Sequence, residues 1–337
     1  MIGPEQLAAG ERAEAAGDYL SAAAAFRAVA ELSDELLAAE AHFCLGRVTW
    51  RQGRFDAALL EFESALLLAA RVGDVELWAR VENGIGAVHY ARGEYPSARR
   101  AYAASLARTS DDGMRGKIIL NLGVIENIEG SYENALEHYE RAYRLLTQSG
   151  DMASATLAIH NRGMVEADLQ RWDDAESSYV AALTLATDAG NREMVAKTLV
   201  NRSELLVERG ALRDAIEHCD HALAIYADVG DEVGRGEALR WRGHALGRAG
   251  ELAAAERRTT EAVQIAMRSS ARLLEAEAAR DLGILRGMLG DVEGGEKLLR
   301  RALRLFTELG VQREADAIDA QLRLTTPART LARIAER

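Results

Sequence analysis

A glycine returns along this chain at an almost constant step. Gly17, Gly53, Gly93, Gly130, Gly210, Gly250 and Gly290 stand in register, Gln170 fills the one gap, and the steps are 36, 40, 37, 40, 40, 40 and 40 residues. A period of that size, sustained over nearly the whole length, constrains the fold to an array of small similar units. The companions repeat too. Seven residues earlier come Gly10, Gly46, Gly86, Gly123, Gly163, Ser203, Gly243 and Gly283. Two residues later come Tyr19, Phe55, Tyr95, Tyr132, Trp172, Leu212, Leu252 and Val292, and five later an alanine, except for Gly295. Nine later stand Phe26, Phe62, Tyr102, Tyr139, Tyr179, Cys219, Thr259 and Leu299, and twelve later mostly alanine, from Ala65 to Ala302.

Offsets of 2, 5, 9 and 12 differ by three or four, so these residues share one stripe of a helix. The earlier small residue also falls in a helical stretch, where glycine costs about 1 kcal/mol relative to alanine. A cost repeated this often predicts close approach of a neighbouring helix. The register glycine is suited to a left-handed cap, and Pro96 to the first turn of the helix that follows. Each unit is thus a helical hairpin whose apolar stripe is buried only by the next. Composition agrees: 3 prolines and 5% aromatic residues beside 48% hydrophobic residues suit an all-α chain.

Glycine, a second glycine seven on, then alanine, an aromatic and alanine resembles the tetratricopeptide repeat family, over residues 5–310. The 40-residue period resembles its longer-repeat branch. The resemblance implies an all-α, right-handed α-solenoid of about eight helical hairpins across 1–310. Second helices are expected to end near Gly73, Gly113, Gly150, Gly190, Gly230 and Gly310. The family's usual proline after the second helix is absent, and its aromatic before the first glycine is mostly replaced. In 311–324, Ala315, Ile318 and Leu322 have the spacing of a capping helix. A tail, 325–337, restarts with Thr326 as N-cap and Pro327 at the first helical position. Its Leu331, Ile334, Arg329, Arg333 and Arg337 make a small basic amphipathic end, read as a frayed tail or as a dock for a partner or a second copy.

The chain carries 41 basic and 53 acidic residues, a net charge of −12, which repels nucleic acid and anionic membranes at long range. Cys44 and Cys219 give neither a disulfide framework nor a zinc pattern. With no leader-like or membrane-spanning run, a cytoplasmic chain is expected. Nucleotide and hydrolase signatures are absent, so no enzyme and no cofactor are expected. The cluster EHCDHA, with His218, Cys219 and His221, has histidines at a metal-compatible spacing. The repeat argues otherwise, since Cys219 takes the core position of Tyr139 and Tyr179.

The resemblance assigns a concave groove to the first helices, at two and six residues before the first glycine and one, four and five after it. Two before, the chain reads Cys44, Gly84, Asn121, Asn161, Asn201, Trp241 and Asp281. An asparagine amide offers a donor and an acceptor to an extended backbone, and the row is similar to the family's asparagine ladder. Lys117, Lys197, Arg240, His244, Tyr90 and Trp50 complete the expected peptide-binding set, and the groove's charge balance points to a peptide carrying carboxylates. Asn161 and Lys197 match the family's two-carboxylate clamp, whereas Leu120, Val124 and Asn201 depart from it, which argues against chaperone tails. Arg162, Arg202 and Arg242 repeat at 40 and are expected to bridge neighbouring repeats through acids such as Glu166. The expected function is a non-enzymatic scaffold for an extended peptide segment of a partner protein. The alternatives are a regulatory sensor of a short peptide or small ligand, and a self-assembling protein.

Overall fold

The computed structural model describes residues 2–335, with side chains for 3–323. Among the described residues there are seventeen α-helices and no strand. The chain divides into two units, residues 1–165 and 166–337. In the first, α1 (Ile2–Ala15) pairs with α2 (Tyr19–Ala30), α3 (Glu35–Arg51) with α4 (Phe55–Val72), α5 (Val75–Ala91) with α6 (Tyr95–Leu106) and α7 (Asp112–Ile128) with α8 (Tyr132–Gln148). Next come α9 (Met152–Asp168), in which the division falls, and α10 (Trp172–Asp188). In the second unit α11 (Arg192–Glu208) pairs with α12 (Leu212–Val229), α13 (Glu232–Arg248) with α14 (Leu252–Arg268) and α15 (Arg272–Met288) with α16 (Val292–Glu308), and α17 (Gln312–Ala335) closes the order.

Every second helix from α2 to α16 begins at the apolar plug residue two places past the register position. The seven register glycines have φ from 73° to 92°, and Gln170 adopts the same left-handed turn at 59°. Aspartates cap four of the first helices: Asp34, Asp74, Asp111 and Asp231 accept hydrogen bonds from amides of the first turn, and Asn191 does the same for α11. The two short periods come from the second helices, since α2 and α6 have 12 residues against 17 or 18 in the others.

Positive φ marks Gly73, Gly150, Gly190, Gly230 and Gly310 beyond the second helices. Gly113 behaves differently. It lies in the first turn of α7, because α6 has already stopped at Leu106. The early stop is held by side chains: Ser105 Oγ donates to Ala79 O at 2.7 Å, Thr109 Oγ1 to Glu76 Oε1 at 2.6 Å, and Asp111 caps α7. Where the second unit lacks a glycine after α14, Ser270 turns at φ 54°.

At Gly10, Gly46, Gly86 and Gly123 the small residues within first helices lie under aromatic rings of their own hairpins, whereas Gly243 faces Thr259 and Gly283 faces Leu299. A Cβ on Gly46 would stand 2.5 Å from the Phe62 ring, and one on Gly123 2.8 Å from Tyr139. Where the ring is replaced by the buried Cys219, serine fits opposite as Ser203. In each unit first helices also touch across the repeat: α1 meets α3 and α3 meets α5, α11 meets α13 and α13 meets α15. Second helices make no comparable contact among the described residues. The first helices are therefore the closely spaced inner layer of each unit.

Ala315, Ile318 and Leu322 of α17 pack against Leu299, Ala302 and Phe306, covering the last hairpin. The side chains of the tail from Thr326 to Arg337 lie outside the described residues.

Candidate functional site

All ten residues expected to bind a peptide lie on first helices. In the first unit Trp50 of α3 is half-buried against the amino-terminal core. Tyr90 of α5 tilts against Tyr95, ring centroids 6.1 Å apart, and burial raises its phenol pKa, with Tyr95 adding to the shift. Lys117 of α7 is exposed, but its Nζ lies 2.7 Å from Asp151 Oδ2 at the start of α9. Burial and the Lys117 ammonium act oppositely on Asp151, and the ammonium with Ser154 leaves its carboxyl below the usual range. Asn121 is half-buried, and burial pushes the nearby Tyr102 phenol well above the ordinary range, with Tyr90 adding to the shift and Asn121 opposing it. Asn161 of α9 is likewise half-buried.

In the second unit Lys197 and Asn201 lie on α11, the lysine exposed and the asparagine half-buried. Arg240 of α13 is no free groove cation. It is 7% exposed, with Nη1 3.2 Å from Asp281 Oδ2 and Nη2 3.4 Å from Glu277 Oε2. Its guanidinium also lies 4.6 Å from the Trp241 ring centroid, and Trp241 stacks on His244 at 5.4 Å with 5° between planes. Desolvation lowers the His244 pKa, which keeps the imidazole neutral at pH 7. Its Nδ1 is buried without a hydrogen-bond partner.

Between α13 and α15 a cavity of about 230 Å³ is lined by His244, Gly247, Arg248, Thr259, Asp281, Ile284, Leu285 and Met288. The groove register picks out most of that lining. Counted from Gly243 and Gly283, the assigned offsets give Glu237, Trp241, His244, Gly247 and Arg248 on α13, and Glu277, Asp281, Ile284, Gly287 and Met288 on α15. Ile284, Leu285 and Met288 were not among the residues expected from sequence. Reading the same offsets through the last repeat finds Ile284 and Met288. Leu285 has no such signal, because it sits two places past Gly283 on a flank.

Carboxylates crowd this face. Desolvation pushes Glu204 up to about 7, with Asp168, Glu277 and Glu208 adding repulsion and Arg240 opposing it, although solvent reaches the residue. Glu237 is raised in the same way, with Arg240 and Lys197 opposing. Arg248 has its own carboxylate, 3.7 Å away on Glu208. The cations expected to meet ligand carboxylates are thus largely engaged within the fold, which weighs against an acidic peptide at this face.

The repeated arginines do bridge repeats, through acids of the preceding second helix. Arg162 reaches Glu140 at 2.6 Å, Arg202 reaches Glu176 at 2.5 Å and Arg242 reaches Asp220 at 2.6 Å. Glu166 is buried and accepts from Ser178 Oγ at 2.6 Å. His218 has both ring nitrogens engaged, Nδ1 with Asp214 O at 2.7 Å and Nε2 with Arg202 at 3.0 Å. Among the described residues no group of three His, Cys, Asp or Glu is placed to hold a metal ion. No helix there is long and apolar enough to cross a membrane.

No curated protein sequence matches the chain. Solved structures do. A Rap protein complexed with competence and sporulation factor covers 98% of this chain and 98% of its own at 13% identity, TM-score 0.61. Aspartyl phosphate phosphatase F from Bacillus subtilis covers 96% and 93% at 12% identity, TM-score 0.59. A signal-transduction ATPase with a tetratricopeptide repeat sensor from Pyrococcus horikoshii aligns with 89% of this chain and 47% of its own at 14% identity, TM-score 0.69. At such identities the likeness is one of fold. Tetratricopeptide repeat profiles match residues 37–111 and 151–228, and a second such profile residues 84–150. With its helical hairpins, left-handed caps and glycine-under-ring packing, the chain belongs to the tetratricopeptide repeat family.

Proposed function

We propose that this chain is a non-enzymatic scaffold that holds an extended segment of a partner protein along its first helices. The observation that carries the reading is the convergence of the groove register of two neighbouring repeats on the cavity between α13 and α15. Its 230 Å³ falls below the roughly 300–1,000 Å³ of sites for drug-sized ligands. A single apolar side chain of a bound segment fits it better than a whole small molecule. Met288 at its edge is 62% exposed and Ile284 38%, an apolar surface left for a ligand to cover. A structural neighbour complexed with competence and sporulation factor supports ligand capture by this architecture.

The test is capture of partners by the full chain, mapping of the bound segment, and titration of that segment as a synthetic peptide. Asn121→Ala/Asn161→Ala/Asn201→Ala and, separately, Ile284→Asp should each weaken binding at least tenfold with helical content unchanged. Full affinity in both variants removes the proposal. A fall in radius of gyration on peptide addition, seen by small-angle scattering, would favour the sensor reading over a passive scaffold.

A further inference from the structure

One second helix of the first unit carries outward leucines where the others carry none. Leu60 and Leu67 of α4 stand seven and fourteen residues past the register glycine Gly53. At the first of these positions the other seven repeats carry alanine, arginine, glutamate, serine or lysine, and at the second alanine, arginine, glutamate, threonine or glutamine. Leu59, Leu66 and Leu68 of the same helix pack against the amino-terminal core. Leu60 and Leu67 turn away from it and are 65% and 57% exposed.

The neighbouring repeats leave room there. Their second helices, α2 and α6, have 12 residues each against 18 in α4. Both stop thirteen residues past their register glycines, at Ala30 and Leu106, one place short of the position that Leu67 occupies. The last turns of α4 therefore run on past the ends of both.

Apolar side chains clustered on an otherwise polar face mark an interaction surface, and the order of residues along α4 fits a second copy of this chain. Asp56, Leu60, Glu63, Leu67 and Arg71 follow at steps of four, three, four and four, so they share one exposed face of the helix. Laid antiparallel on itself about a two-fold axis between Glu63 and Ser64, that face sets Leu60 against Leu67 of the second copy and Asp56 against its Arg71. Each pairing occurs twice, which is the self-complementarity of an isologous interface. Ser64 is small and its Oγ already donates to Leu60 O at 3.0 Å, so close approach at the axis strands no hydroxyl. Asp56 and Arg71 also have partners on their own chain, Arg92 and, at 3.5 Å, Glu35. Asp56, Arg71 and Glu35 are all half or more exposed, and ion pairs at exposed sites are weak enough to exchange.

We propose that the outer face of α4 is a homodimer contact, two copies of this chain pairing antiparallel through Leu60 and Leu67, with Asp56 and Arg71 closing both ends. The contact uses a second helix, so binding of a partner segment along the first helices is independent of it.

Sedimentation velocity of the full chain at low salt, from about 10 μM to about 1 mM, reads the association, which a single pair of helices keeps weak. The dimer fraction should rise with concentration. Leu60→Gln/Leu67→Gln should abolish the dimer while leaving the circular dichroism and melting temperature of the dilute chain unchanged, because both side chains are exposed. The charges test the register. Asp56→Arg and Arg71→Asp should each weaken the dimer by about fivefold or more, and the double variant, which reverses both ends together, should return to within about twofold of the parent. Glu63 lies beside its own copy across the axis, so Glu63→Gln should tighten the dimer by about twofold. A chain that stays monomeric throughout, a dimer that survives the leucine substitutions, or single-charge losses that the double variant fails to recover overturns the proposal.

Discussion

Gly86 of α5 lies directly beneath the ring of Tyr102 in α6: a Cβ built on the glycine would stand 2.5 Å from Tyr102 Cε1. Helix and ring therefore share a volume that admits no methyl group. Gly86→Ala should cost about 1–3 kcal/mol through overpacking, despite the roughly 1 kcal/mol that alanine gains in helix propensity. Gly287 supplies the contrast, because beyond its own helical backbone no atom lies within 4 Å of its hypothetical Cβ. Gly287→Ala should stabilise by up to about 1 kcal/mol. Urea unfolding followed by far-UV circular dichroism reads both, and equal signs for the two would refute glycine-under-ring packing.

Gln170 makes its turn at φ 59° where seven other repeats use glycine. A side chain there strains the backbone by about 1 kcal/mol, partly offset by the greater entropy of glycine in the unfolded chain. Gln170→Gly should raise stability by about 0.5 kcal/mol, and Gly130→Ala should lower it by about 1 kcal/mol. A pair of thermal melts decides the matter.

Arg240 is buried against Asp281 and Glu277. Removing its charge leaves Glu277 without this partner and Asp281 with Arg280 alone, at 2.9 Å, so Arg240→Met should destabilise by about 3 kcal/mol. Adding Asp281→Asn should restore part of that loss, since Arg280 keeps Glu314 at 2.5 Å. The expected signature is a double variant more stable in urea than the single one.

Glu204 is raised to about 7 by desolvation and by Asp168, Glu277 and Glu208, against the pull of Arg240. Its folded-state pKa thus exceeds that of the unfolded chain, and between the two values the folded state binds more protons. Stability must fall as pH rises through that window, from about 4.3 towards 7. Glu204→Gln should flatten this slope, giving melting temperatures at pH 5.5 and pH 8 that differ less than in the parent chain. An unchanged difference would show that Glu204 titrates normally.

The fold was legible because the sequence states it eight times over. Glycine, plug, alanine and ring recur at fixed offsets, and each offset answers a local requirement: a left-handed turn, a helix start, a stripe of period 3.6. Local chemistry of this kind acts within a few residues, so it can be read along the chain. Gly113 marks where the reading failed, since the stop of α6 depends on hydrogen bonds to α5, 26 and 33 residues away in sequence.

The site was legible in outline and not in charge. The groove register finds Trp241, Asp281, Ile284 and Met288, because helical periodicity fixes which residues share a face. It could not tell that Arg240 is consumed by Asp281 and Glu277, or that Lys117 already holds Asp151. Whether a cation is free depends on which carboxylates packing brings within a few ångströms, and residues 34 to 41 apart acquire that proximity only in the folded stack. The sequence alone determined the periodic helices and their small-against-large packing. Tertiary structure alone decided which amides, cations and apolar side chains remain available for a partner, because availability is what is left after neighbouring repeats have satisfied one another.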